Sequence, residues 1–156
     1  GDALAMTVLV EKGFKPEDFA SLHPAGRLGK RLMRVEQMMK AGEELPVVQL
    51  HTSMRDVIYE MSRKKLGMTT VLEKDGRLAG IITDGDLARN LDRNLGALIV
   101  DDIMTRTPKV ARQDELASAV VFRMEQHDIM AMPVVDDDER VVGIVHLHDL
   151  MRARVA

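Results

Sequence analysis

Slid against itself by 63 residues, the sequence aligns without a gap from Val47 to about Arg93. Met61 falls on Met124, Val71 on Val134, Gly80 on Gly143, Asp86 on Asp149 and Arg89 on Arg152. "LGMTTVLEKDGRLAGIITDGDLAR" lies on "IMAMPVVDDDERVVGIVHLHDLMR", and "VEQMM" from Val35 matches "VDDIM" from Val100 once the first copy is allowed two extra residues around Gly42. An internal repeat of this length means one supersecondary unit written twice. The chain therefore divides into residues 1–34, a first unit at 35–97 and a second at 98–156.

Within each unit the hydrophobic period changes in a fixed order. A short extended piece, "LPVVQL" or "TPKVAR", precedes a helical stretch. In the first unit Met54, Val57, Ile58 and Met61 recur at helical spacing; in the second, Leu116, Ala119, Val120 and Met124 form the apolar side. Two strands follow, joined by Lys74-Asp75-Gly76-Arg77 in the first copy, whose Asp-Gly is a hairpin signal, and by "DDER" in the second. A helix closes each unit. The expectation is an α/β (α+β) fold of tandem β-α-β-β-α units. Three strands with helices on one face leave apolar surface uncovered, so the two units should pack together as an intramolecular pseudo-dimer.

Composition narrows the function classes. Net charge is −3 with acids and bases mixed along the chain, unlike the concentrated basic footprint of a nucleic-acid binder. Three phenylalanines, one tyrosine and no tryptophan leave few rings for stacking bases, while twelve methionines make the core aliphatic and thioether-rich. The absence of cysteine excludes disulfides and thiolate metal sites and suits a cytoplasmic location. No apolar run reaches the roughly 20 residues of a membrane span, so no membrane partner is expected. A start at Gly1, inside "GDALAMTVLVEKGF", points to a piece of a longer chain.

Tandem β-α-β-β-α units, each closing with glycine, apolar residues, a hydroxyl or histidine and then "xxDL", resemble a CBS-domain pair, or Bateman module, over about residues 35–154. "GIITDGDLARN" is close to the family's wording and "GIVHLHDLMRA" is looser. Residues 1–34 narrow the likeness, because His23-Pro24-Ala25-Gly26-Arg27-Leu28-Gly29 resembles the connector that follows the sugar-isomerase (SIS) domain in D-arabinose 5-phosphate isomerases. The resemblance implies a regulatory module, without catalysis of its own, that binds an adenine nucleotide of AMP or ATP type between its units. The pathway of such enzymes adds CMP-Kdo, the activated end product, as a second ligand class. The parent protein would be an aldose-ketose isomerase that makes arabinose 5-phosphate for Kdo and lipopolysaccharide. It also implies the chain's own SIS domain as a partner and a CBS-mediated homodimer, with Met54, Met61 and Met124 on the helix surface that meets the second copy. The rival role is a ligand-free module for oligomer assembly.

Thr83 and Asp86 fit two readings. As Thr-x-x-Asp they form a capping box, in which hydroxyl and carboxylate each satisfy a free N–H at a helix start. As a ligand clamp, the carboxylate accepts from ribose hydroxyls and the threonine meets a phosphate. In the second copy His146 replaces the threonine while Asp149 stays, which, with the family resemblance, favours ribose binding, and Asp86 is the better candidate of the two because its threonine is present. His146 and His148 then line the second nucleotide cleft or stand as exposed loop histidines; two imidazoles and one carboxylate fall short of a metal set. Met68, Thr69, Thr70, Met132 and Pro133 open the middle strands, where the family holds the base, and plain core packing is the alternative for each. Arg89 is available to an acidic sugar. His23 is a candidate active-site residue of the full-length enzyme and has no catalytic partner here. No cofactor is required.

Overall fold

The computed structural model of the protein describes residues 32–153. His23, its surrounding phrase and the connector up to residue 31 lie outside the described residues. A short helix α1 (Val35–Met38) opens the first unit, which goes on to β1 (Val47–Gln49), α2 (Met54–Lys64), β2 (Met68–Leu72), β3 (Leu78–Thr83) and α3 (Asp84–Arg89). The second contains β4 (Ala111–Arg112), α4 (Ala117–Gln126), β5 (Ala131–Val135), β6 (Val141–His146) and α5 (Leu147–Arg152). Each unit is the expected β-α-β-β-α.

Both sheets have three strands, with β1 parallel and β3 antiparallel to β2, and β4 and β6 likewise about β5. The 63-residue shift holds at the level of register. Val48 faces Val71 as Ala111 faces Val134, Val71 faces Gly80 as Val134 faces Gly143, and a β-bulge follows both Val71 and Val134.

Local chemistry sets the element ends. Helix α2 starts at Ser53, whose hydroxyl accepts from the Asp56 N–H at 3.3 Å, and stops at Lys65, which takes the left-handed conformation at φ 60°. Its Met54, Val57 and Met61 are buried. In α4 the buried face is Ala117, Val120, Val121 and Met124. The face expected from Leu116 and Ala119 is thus corrected: Leu116 is the N-cap, outside the helix, and Ala119 is exposed. A second correction concerns Met54, Met61 and Met124, at most 5% exposed, which fill the units' cores rather than an outer surface. The large apolar groups on the outside of these helices are Ile58, Tyr59 and Phe122.

The units meet about a pseudo-two-fold axis. At the hairpin tips the Leu78 N–H donates to Glu139 O (3.0 Å) and the Val141 N–H to Gly76 O (3.2 Å), a pair of bonds that the 63-residue shift interchanges. Farther in, Met68, Ala131 and Ile144 form a buried cluster with Leu45, Leu66 and Ile81.

The linear repeat does not reveal one further joint, an exchange of leading stretches. Residues 33–41, at the start of the first unit, dock on the second: the Val35 N–H donates to Glu115 O, and Lys40 and Ile144 exchange backbone bonds of 2.8 and 2.9 Å. Val35 lies in the second unit's core, with Val120, Met124 and Leu150. Residues 98–105 dock on the first unit in the same manner, with Thr105 and Ile81 exchanging bonds of 2.8 and 2.9 Å and Val100, Ile103 and Met104 joining Val57, Val71 and Ile82.

Each docked stretch passes directly over a glycine. A Cβ on Gly80 would stand 2.5 Å from Thr105 O, and one on Gly143 would stand 2.8 Å from Lys40 O and 2.5 Å from Met39 Sδ. Those oxygens are fixed by the bonds just described, so they cannot step aside without breaking them. Gly80→Ala and Gly143→Ala are expected to cost about 1–3 kcal/mol each, whereas Gly96→Ala, whose Cβ meets nothing closer than 3.6 Å, should change stability by less than about 0.5 kcal/mol. Urea denaturation of the three variants checks the ordering.

Candidate functional site

Between the units lies a cleft of about 750 Å³, within the size range of small-molecule sites. The same positions of both copies build its walls: Thr83 and His146, Gly85 and His148, Arg89 and Arg152, Lys65 and Asp128. Met68, Ala131 and Ile81, from the cluster between the units, supply apolar floor. Lys40, Lys65, Arg89, Lys109 and Arg152 contribute five permanent cations against the carboxylates of Asp84, Asp128 and Asp149. In a chain of net charge −3 the cleft is therefore a local cationic region. Lys65 and Lys109 have no ion-pair partner among the described residues. An apolar floor under a cationic rim suits a flat or aliphatic group attached to an anion.

The repeat's two aspartates sit differently. Asp86 is 5% exposed and lies behind the cleft wall. Its Oδ2 accepts from the Thr83 N–H (3.0 Å) and the Thr83 hydroxyl (3.1 Å), while the Thr83 Oγ1 accepts from the Asp86 N–H (3.2 Å), completing the capping box of α3. Its Oδ1 accepts from Arg89 Nη2 (2.6 Å) and the Thr105 hydroxyl (3.2 Å). Asp149 instead lines the cleft. It pairs with Arg152 and stands 3.5 Å from Lys40 Nζ. The cap of α5 is provided by His146, whose Nδ1 accepts from the His148 N–H at 3.1 Å. Replacing the threonine did not remove the cap; it passed that role to an imidazole and released the aspartate from it.

The structure brings Thr83, His146, His148, Asp149 and Met68 together in the cleft, and Arg89 with them. Asp86, Thr69, Thr70, Met132 and Pro133 are buried outside its lining. The Thr70 hydroxyl donates to Pro46 O (2.7 Å) and that of Thr69 to Thr70 O (3.2 Å), so both are spent within the first unit. Met132 belongs to the second unit's core. Sequence reasoning missed Lys40, Lys65 and Lys109, because none recurs: Lys65 stands opposite Asp128 in the repeat and Lys40 opposite Thr105. A signal for Lys65 was its place just past the helix end, a position its counterpart Asp128 shares with φ 54°. Among the described residues no group of three or more His, Asp or Glu side chains is arranged to hold a metal ion.

Comparison with known proteins agrees with this architecture. The family model for the CBS domain matches residues 35–93 and 100–156. The chain is 49% identical to the arabinose 5-phosphate isomerase KdsD of Pseudomonas aeruginosa over 99% of its own length and 48% of that protein's. It is 40% identical to KdsD of Escherichia coli, again over 99% of the chain and 48% of the relative. The chain thus spans about half the length of the curated relatives it matches. Among solved structures, the CBS domain pair of protein MJ0100 in complex with 5′-methylthioadenosine and S-adenosyl-L-methionine is similar, with a TM-score of 0.70, 29% identity and coverage of 78% of this chain and 94% of that one. CBSX2 in complex with AMP has a TM-score of 0.69 and 26% identity, covering 78% and 96%.

The imidazole cap has a pH consequence. Burial holds the His146 pKa below the ordinary histidine value, helped by His148, Lys40 and Arg152 and opposed by Asp149. A protonated ring also cannot accept at Nδ1. A lowered folded-state pKa means that the unfolded chain binds the extra proton first, so this contribution is complete above the unfolded value near 6.5 and is lost as pH falls through the folded value. The denaturation midpoint should decline on acidification below about pH 6.5, and His146→Thr, which installs the first unit's cap residue, should flatten that decline. Melting curves of both proteins between neutral and mildly acidic pH check it.

Proposed function

The chain belongs to the CBS-domain family, and from that premise we propose that it is the regulatory CBS pair of an arabinose 5-phosphate isomerase, binding an anionic nucleotide in the cleft between its units. The observation that carries this reading is the cleft itself: both copies of the repeat wall it, its floor is apolar and its rim holds five cations. An adenine nucleotide of AMP or ATP type and CMP-Kdo both present a flat base and negative charge, and both fit that chemistry. The likeness to KdsD supports the parent activity, interconversion of ribulose 5-phosphate and arabinose 5-phosphate on the route to Kdo and lipopolysaccharide. That chemistry is the work of an SIS domain in the cytoplasmic full-length protein, not of this chain.

Regulation follows from the position of the ligand. A molecule touching both units binds one relative arrangement of them better than another and biases the equilibrium by that difference. Residues 33–41, which dock on the second unit and lead toward the chain's first 31 residues, carry the bias to the isomerase domain. The module also pairs with a second copy through its outer helices. Tyr59 and Phe122, 65% and 67% exposed, occupy matching positions of α2 and α4 and make that surface self-complementary.

Thermal shifts with AMP, ATP and CMP-Kdo test the binding. At a ligand concentration of about 100 Kd, folding should gain about 2.7 kcal/mol. The double variant Lys65→Ala, Lys109→Ala should weaken binding about tenfold or more, and added salt should do so in the unmodified chain. No shift with any of the three would refute the reading. Light scattering addresses the pairing: a dimer mass is expected, falling to that of a monomer in Tyr59→Glu, Phe122→Glu.

A further inference from the structure

The repeat offers the cleft two pseudo-equivalent seats, one at Asp86 and one at Asp149. Four positions furnish each seat, Arg89 and Arg152 being equivalent donors to the aspartates, and the copies differ at two of them. Where the first unit has Thr83, the second has His146; where the first unit receives Thr105 from its docked stretch, the second receives Lys40. The aspartate is common to both.

At Asp86 these choices close the seat. The Thr83 N–H, the Thr83 hydroxyl, the Arg89 guanidinium and the Thr105 hydroxyl all donate to its two oxygens, about as many donors as a carboxylate can serve. The group is buried as well. A ligand could reach it only by unmaking the cap and stranding the Thr83 N–H, which has no second acceptor in place.

At Asp149 they leave the seat open. With His146 capping the helix through Nδ1, no backbone or hydroxyl donor is committed to the Asp149 carboxylate among the described residues. Its neighbours are two cations. Arg152, 77% exposed at its side chain, donates to Asp149 Oδ1 at 2.5 Å as Arg89 does to Asp86, while the Lys40 Nζ, 3.5 Å from Asp149 Oδ2 and 3.7 Å from Glu44, is beyond ordinary hydrogen-bond length. Ligand hydroxyls can therefore approach an acceptor with spare capacity, and Lys40 is positioned to turn from Asp149 to a ligand anion. The Lys40 backbone is tied to Ile144 by two hydrogen bonds, so the ammonium swings from a fixed base.

We propose that the module takes one ligand rather than two, seated at Asp149 and His146, with Lys40 as the cation that selects for its negative charge. The proposal rests on the nucleotide-binding reading of the cleft. Asp86, its equivalent in the repeat, is a structural tie of the first unit.

Calorimetric titration of the 156-residue chain with AMP, ATP and CMP-Kdo tests this, with circular dichroism on every variant. One equivalent of the best probe is expected. Asp149→Asn should raise its Kd about tenfold to a hundredfold, as should Lys40→Thr, which gives the second unit the first unit's residue. Asp86→Asn should lower the melting midpoint and leave Kd within about twofold. Two equivalents, or a Kd sensitive to Asp86→Asn and indifferent to Asp149→Asn, would overturn the proposal. If Asp86→Asn does not fold, unchanged binding in both Asp149→Asn and Lys40→Thr overturns it by itself. Absence of binding by all three probes would defeat the nucleotide reading and this proposal together, which separates that failure from a misplaced seat.

Discussion

The rest of the structure depends on the contact between each leading stretch and the glycine beneath it. A three-stranded sheet with two helices has an unfinished face, and here residues 33–41 and 98–105 finish it, each within hydrogen-bond reach of a strand whose crossing residue has no side chain. Because the stretch that opens the first unit is laid on the second, the cores of the two units share covalent chain as well as a packed boundary. Their relative placement is therefore held at three separated points: the hairpin tips, the cluster around Met68 and Ile144, and this exchange. A cleft with walls drawn from both units inherits its shape from those ties.

Symmetry in such an object is a starting condition that later substitutions spend. The backbone repeat is kept down to the position of the bulges, yet the side chains around the two aspartates have diverged in a coordinated way. A threonine and a threonine hold Asp86 in place; a histidine and a lysine leave Asp149 to the solvent side. The same fold thus carries one carboxylate as mortar and its copy as an acceptor held only by side-chain cations, with the strand register unchanged.

Much of this was visible in the residues. The order of periods, the hairpin at Asp75-Gly76 and the pairing of the two units all follow from the repeat and from uncovered apolar faces. Helix phase was misjudged at three positions: Leu116 stands outside the helix as its cap, and Ala119 and Ile58 turn outward rather than to the core. The site was half legible: Thr83, His146, His148 and Asp149 recur or flank what recurs, so self-comparison finds them. Lys40, Lys65 and Lys109 do not recur, and the exchange that brings Lys40 to Asp149 joins parts of the chain about a hundred residues apart. No local pattern records such a contact. Thr69, Thr70, Met132 and Pro133 share strands with cleft residues, but strand position alone does not say which side chains face a ligand and which are consumed by packing.

The exchange also imposes an order of completion on a chain made from its N-terminus. The first unit is finished by residues 98–105, which leave the ribosome directly after it, so that half can close while its sequel is still being synthesised. The second unit is finished by residues 33–41, which were made long before and must wait, with Val35 and Met39 still apolar and uncovered, until the strand ending at His146 is made. During that interval the early stretch is an open adhesive edge. The hazard in manufacturing this protein therefore lies at the oldest part of the described chain, not the newest.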